Sequence, residues 1–308
     1  MIPGSPYARI AEEKGPGVYR RRRGWARSSK ERSRQGLRRR FALRPATLPE
    51  QDDGRADLQT GQPCPTRLEL ARMLPTNKPL PERIGLLYSG GLDSAILLGH
   101  LLAAGHIVRP FYIRSGMHWE TVEQRAAEQF SAALGSSRLE PLVVLSQSVA
   151  EVYGTHWSLT GTEVPDAATD DSAVYLPGRN LLLVSKAALW CQLHGIGSLA
   201  LAVLASNPFP DATDEFFASL ERTLELATGQ PIRVLRPFQQ LSKREVMQLG
   251  QRFPLELSFS CIDPQGSQHC GQCNKCAERI AAFAAAQIPD RTEYASHNAA
   301  RRVATPGH

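Results

Sequence analysis

The chain has 308 residues, 42% of them hydrophobic, which is enough for one large domain or two small ones. No stretch approaches the roughly 18 consecutive apolar residues that a membrane-spanning helix requires, so none is expected. The net charge of +6 is unevenly placed: residues 1–44 carry 14 Lys/Arg against three acids, a net of +11, leaving −5 for the rest and making the body a poor match for nucleic acid.

The basic head holds Arg20-Arg21-Arg22-Arg23 and Arg38-Arg39-Arg40 among Gly, Ser and Pro, with almost no apolar periodicity. Such a segment buries too little surface to offset its ordering entropy, so residues 1–80 are expected to be a disordered extension and linker. A basic arm suits nucleic acid or targeting, but no apolar segment of the secretory kind follows the arginines. A translation start at Met73 would remove it altogether. Three prolines between Pro75 and Pro81 mark the entry to the folded body.

From there strand-like and helix-like runs alternate. Ile84 to Tyr88 reads as a strand, Ser94 to Ala104 as a helix, and Ile107 to Ile113 as a strand. A helix over Glu120 to Leu134 and a strand over Leu139 to Leu145 follow. Asn180 to His194 is helical, Ser198 to Leu204 a strand, Thr213 to Ala227 an acidic amphipathic helix, Ile232 to Leu235 a short strand and Lys243 to Arg252 a helix. Strands separated by helices imply crossovers, hence an α/β fold: an open, mainly parallel sheet with helices on both faces, placed over 81–255.

The first strand breaks into Ser89-Gly90-Gly91-Leu92-Asp93-Ser94 before its helix. In an open parallel sheet, ligands collect at such a strand end. Two glycines let the backbone approach a ligand, and the helix start offers unpaired N–H groups and partial positive charge. Serine hydroxyls add donors, so the piece favours phosphate or pyrophosphate. It lacks the lysine of the usual phosphate-binding loop, and Asp93 makes sense beside Mg²⁺ or as an organiser of the loop.

Six cysteines are present, and four of them, Cys261, Cys270, Cys273 and Cys276, fall within 16 residues. Four thiolates with no open position describe a structural Zn²⁺ site in a C-terminal element over 256–290, with an iron–sulfur cluster as the alternative. His269 reads as a bystander, Cys191 as core, and 291–308 as a flexible tail.

The loop and the four cysteines together carry a resemblance. Ser89-Gly90-Gly91-Leu92-Asp93-Ser94 resembles the signature of the PP-loop ATP pyrophosphatases, of the adenine nucleotide alpha-hydrolase-like fold. With the cysteine spacing, with Pro177-Gly178-Arg179-Asn180, and with Lys243 opening a late helix, the chain is similar to the 7-cyano-7-deazaguanine synthases. The resemblance implies a C–N bond-forming ligase of queuosine precursor synthesis. Its partners would be ATP with Mg²⁺, ammonia, and 7-carboxy-7-deazaguanine or a related carboxylate.

It also implies roles. Ser89, Gly90, Gly91, Leu92, Asp93, Ser94, Gly178, Arg179 and Lys243 would bind ATP, with Asp93, Lys243 and Arg179 catalytic. Asn180, Asp211, Asp214 and Phe216 would bind the acceptor; by residue type alone, Asn180 can also cap its helix. A cytoplasmic location fits such an enzyme, and a homodimer is compatible with it.

Two segments depart from the family pattern, Ser115-Gly116-Met117-His118-Trp119 and Ser206 to Thr213. They leave open a related ligase that adenylates a different carboxylate. A tRNA thiolase would need a reactive cysteine pair near the cleft, and a zinc-bearing nucleic-acid module would depend on the basic arm.

Overall fold

The computed structural model describes residues 83–296. The basic head, the extension and its proline linker, Met73, Cys64 and residues 297–308 lie outside the described residues.

Five parallel strands form one sheet in the order β3-β2-β1-β4-β5. They are β1 (Arg83–Leu87), β2 (Ile107–Arg114), β3 (Val143–Ser146), β4 (Ser198–Ala200) and β5 (Arg233–Leu235). The chain begins in the middle, moves outward through β2 and β3, and returns to the other side of β1 for β4 and β5. The order therefore reverses between β1 and β4, where the strand ends leave a crevice.

Alternate residues of β1 feed two cores. Ile84 and Leu86 pack on one face with α1 (Leu92–Ala103), α2 (Glu120–Leu134), α7 (Lys243–Gly250) and α8 (Asn274–Ala286). The other face packs against α5 (Arg179–Leu193) and α6 (Asp214–Thr228) through Val184, Ala187, Cys191 and Phe217. Gly85 sets the closeness of α5, because a Cβ there would meet the Cys191 sulfur at 2.6 Å. Cys191 is core, as expected.

α2 runs over the residues expected of it, and Gly135, at φ 54°, ends it. Other boundaries move for local reasons. The strand expected over Leu139 to Leu145 is interrupted: Leu139 makes an isolated bridge to Val108, and β3 starts at Val143 beyond Pro141, which has no N–H to give. The strand expected over Ser198 to Leu204 is three residues long, and Leu201 to Leu204 leave the sheet to line the crevice. Short helices α3 (Ala150–Tyr153) and α4 (Trp157–Thr160) were not foreseen. Residues 291–296, assigned to the tail, instead pack on the cysteine element, where Ala295 N–H donates to the His269 carbonyl at 2.8 Å. Among the described residues no helix is long and apolar enough to cross a membrane.

Candidate active site

At the crevice β1 gives way to the glycine loop. Gly90 adopts φ +80°, and a Cβ there would lie 2.9 Å from the Ala127 backbone nitrogen. Only glycine fits both demands. Gly91 is the N-cap of α1 and no side chain caps that helix, so its first N–H groups are left for a ligand. The loop is braced from within: the Ser94 hydroxyl donates to the Gly91 carbonyl at 3.1 Å, and the Ser89 and Ser94 oxygens are 3.2 Å apart. From outside, Phe259 N–H donates to the Gly90 carbonyl at 2.8 Å.

The loop forms the floor of a cavity of about 450 Å³, lined also by Glu123, Arg179, Lys243 and Phe209. A capping box of Ser242 and Glu245 starts α7 and so fixes Lys243 at its first position. The Lys243 ammonium donates to Asp93 at 2.9 Å and to Glu278 at 3.0 Å, and Lys275 donates to Glu278 at 2.8 Å. Burial disfavours the charge on Lys243, but the two carboxylates more than offset it and hold its pKa above the usual lysine value.

Arg179 enters from the opposite wall as the first residue of α5, after Gly178 at φ 75°. Its Nε is buried without a hydrogen-bond partner. A cationic donor left open at a cavity wall suits an anionic ligand.

Asn180 does not cap α5; that position belongs to Gly178. Instead its backbone N–H donates to the Asp211 carboxylate and its side-chain amide to the Asp211 carbonyl, both at 3.0 Å. Asp211 is 7% exposed and braces the helix start rather than lining the cavity. Asp214 and Phe216 are likewise set outside the lining residues. Asp214 is exposed and pairs with Arg236, while Phe216 packs edge-on against Phe217 at 5.0 Å. Ser206 to Phe209 form part of the cavity wall instead. There Phe209 stacks on Tyr175 with ring centroids 4.6 Å apart.

The structure also brings in residues that the sequence did not single out. Glu123 and Tyr112 line the cavity, and Lys275 and Glu278 complete the lysine cluster. Glu123 and Tyr112 sit in ordinary helix and strand patterns with no motif around them, whereas Lys275 falls inside the cysteine run and Glu278 just after it.

The four cysteines converge, with their sulfurs all within 4.8 Å of one another and every residue buried. Two of the separations are 3.8 and 3.9 Å. Zn–S bonds of about 2.3 Å in a tetrahedron place sulfurs about 3.8 Å apart, so the donor set fits a metal ion such as zinc. Backbone N–H groups of Cys270 and Asp263 point at the Cys261 sulfur, at 3.3 and 3.4 Å, and would stabilise a bound thiolate. His269 stays outside the cluster, and its Nε2 accepts from Ser260 N–H at 3.2 Å.

A parallel sheet that reverses beside its first strand, with a glycine-serine loop at that point and a lysine over it, is the layout expected from the resemblance to the PP-loop proteins. The family model for the queuosine biosynthesis protein QueC matches residues 83–287, and the chain belongs to that family. It is 32% identical over 221 residues to the 7-cyano-7-deazaguanine synthase of Ectopseudomonas mendocina, covering 68% of this chain and 96% of that one. With the synthase of Xanthomonas axonopodis pv. citri it shares 35% identity over 226 residues, with the same coverage. Among solved structures, an NMN synthetase from Francisella tularensis aligns over 77% of this chain and 89% of that one. Its identity is 14% and the TM-score 0.38.

Proposed function

We infer that this chain uses Mg-ATP to turn 7-carboxy-7-deazaguanine and ammonia into 7-cyano-7-deazaguanine. The observation that carries the reading is the joint placement of the glycine loop, Lys243 and the open Arg179 around one cavity, in a chain of this family. The N–H groups of residues 90–94, with Lys243 and Arg179, hold the phosphates and oppose the charge that develops as pyrophosphate leaves. Asp93 orients Lys243 and faces the metal that accompanies the nucleotide. The acceptor carboxylate takes AMP, ammonia displaces it to give the amide, and a second adenylation of the amide oxygen leads to the nitrile. The protein positions reactants and stabilises charge. Its cysteine site holds zinc as a structural ion, which ties the C-terminal element together and takes no part in bond making. A cytoplasmic enzyme acting on a small molecule suits these features.

The acceptor side supports a second reading. Trp119 and Ser206 to Phe209, which fall in the two segments that depart from the family pattern, line the cavity itself. A ligase that stops at the amide, or that adenylates another carboxylate, would be altered in this way.

One experiment separates the two. Metal-replete protein is mixed with Mg-ATP, ammonium and 7-carboxy-7-deazaguanine, and AMP and deazapurine products are followed by mass spectrometry. The expected result is nitrile with two AMP per acid. Amide alone, or no acid-dependent AMP, transfers the assignment to the second reading.

A further inference from the structure

The proposed chemistry sheds N–H protons, and the cavity must hold a group to take them. Three acidic side chains line it: Asp93, Glu123 and Glu278. Asp93 and Glu278 are both ion-paired with Lys243. Glu123 forms no ion pair among the described residues. It lies in the first turn of α2, four residues before Ala127, against which Gly90 packs. The carboxyl thus stands on the helix face that meets the glycine loop, one turn of about 5.4 Å nearer the helix start.

Its hydrogen bonds imply a proton count. The Tyr112 phenol oxygen lies 2.8 Å from a Glu123 carboxyl oxygen and 3.1 Å from the Glu120 carbonyl. One phenol proton cannot serve both acceptors. With Glu123 protonated, Glu123 donates to Tyr112 and Tyr112 donates to the carbonyl, so every group is satisfied. With Glu123 ionised, Tyr112 turns its proton to the carboxylate. Burial pushes the Glu123 carboxyl up to about 7, against the opposing charge of Arg179 and the hydrogen bonds from Tyr112 and Trp119, with Glu120 adding to the rise. The charged or titratable groups facing it are thus Tyr112 from β2, Arg179 from α5 and Glu120 from its own helix. Asp93, Lys243, Lys275 and Glu278 share the cavity from α1, α7 and α8.

We propose that Glu123, with Tyr112 as its hydrogen-bonding switch, is the base that takes the N–H protons released as the carbon–nitrogen bonds form. The proposal rests on the reading of the reaction given above. In the first half, the ammonia lone pair forms the C–N bond to the acyl-adenylate carbon. The C–O bond to AMP breaks, AMP leaves with the electron pair, and one N–H proton passes to the Glu123 carboxylate. In the second half, the amide oxygen displaces pyrophosphate from ATP. Loss of two N–H protons, with AMP again leaving with its electron pair, gives the nitrile. Glu123 accepts these protons one at a time and returns each to solvent between steps.

The test compares the wild type with Glu123→Gln, Glu123→Asp and Tyr112→Phe. ATP–pyrophosphate exchange dependent on 7-carboxy-7-deazaguanine reports adenylation; amide and nitrile yield across a pH series reports the later steps. For Glu123→Gln, exchange persists while product formation falls by about 10²- to 10⁴-fold, the usual contribution of a positioned base. Glu123→Asp recovers part of the loss. The wild-type acid limb near 7 disappears in Glu123→Gln. In Tyr112→Phe it moves to higher pH, because a hydrogen bond that favours the carboxylate is gone. Product formation by Glu123→Gln within a few-fold of wild type, with the acid limb unchanged, overturns the proposal. Equal loss of exchange and product also overturns it, since that marks a role in adenylation or folding. A wild type without acid-dependent exchange overturns the acceptor reading, and this proposal with it.

Discussion

Lys243 stands between two carboxylates, and its removal exposes a conflict that the intact site hides. In Lys243→Met, Asp93 and Glu278 lose their common counter-charge, although Lys275 remains for Glu278. The expected outcome is a drop in nucleotide affinity of tenfold or more by calorimetry, together with a lower melting temperature. Glu123→Gln should behave oppositely in stability. A carboxyl whose pKa is higher folded than unfolded binds more protons in the folded state, so its contribution is full below the unfolded value and is lost as pH rises through about 7. Replacing it by Gln should therefore raise the melting temperature at pH 8 and change it little at pH 5, as thermal scans at the two pH values would show. Sequence made the loop, Lys243, Arg179 and the cysteines visible, because each needs a residue type at a fixed spacing. It could not show Glu123 or Tyr112, whose importance comes from a half-buried wall formed by a distant helix and strand.

At the scale of elements, Asp211 braces the start of α5. Asp211 accepts from the backbone N–H of Asn180, beside Arg179, and its carbonyl accepts the Asn180 amide. Asp211→Ala should destabilise the protein by about 1–3 kcal/mol, the cost of leaving such a donor unmet. By freeing Arg179 and the turn after Phe209, it should raise the KM for the acceptor more than that for ATP in steady-state kinetics. The alternation of strands and helices was legible because apolar runs and glycines mark each crossover, and α2 shows it residue for residue. The shortened β4 was not. Leu201 to Leu204 are as apolar as a strand, yet they leave the sheet to wall the cavity, and only the position of β5 and the crevice reveals it.

For the molecule as a whole, two covalently short paths join the cysteine site to the glycine-loop cavity. Cys261 follows Phe259 by two residues, and the Phe259 N–H holds the Gly90 carbonyl. Cys276 precedes Glu278 by two residues, and Glu278 holds Lys243. The buried Arg279 locks the same region, donating to the Ser258 hydroxyl and the Leu255 carbonyl at 3.0 and 2.8 Å. Chelation of the metal should therefore weaken ATP binding by tenfold or more before the sheet melts. Titration of metal-free protein with ATP, alongside circular dichroism, checks this.

The Phe259–Gly90 hydrogen bond also works in the other direction. Coupling between two binding events is reciprocal, so whatever the metal adds to nucleotide affinity, the nucleotide adds to metal retention. At equilibrium with a competing chelator, saturating ATP should raise the protein's affinity for the ion by the same factor that chelation costs in ATP affinity. The ion, and with it the order of the C-terminal element, would then be better retained when the nucleotide is bound than when it is absent.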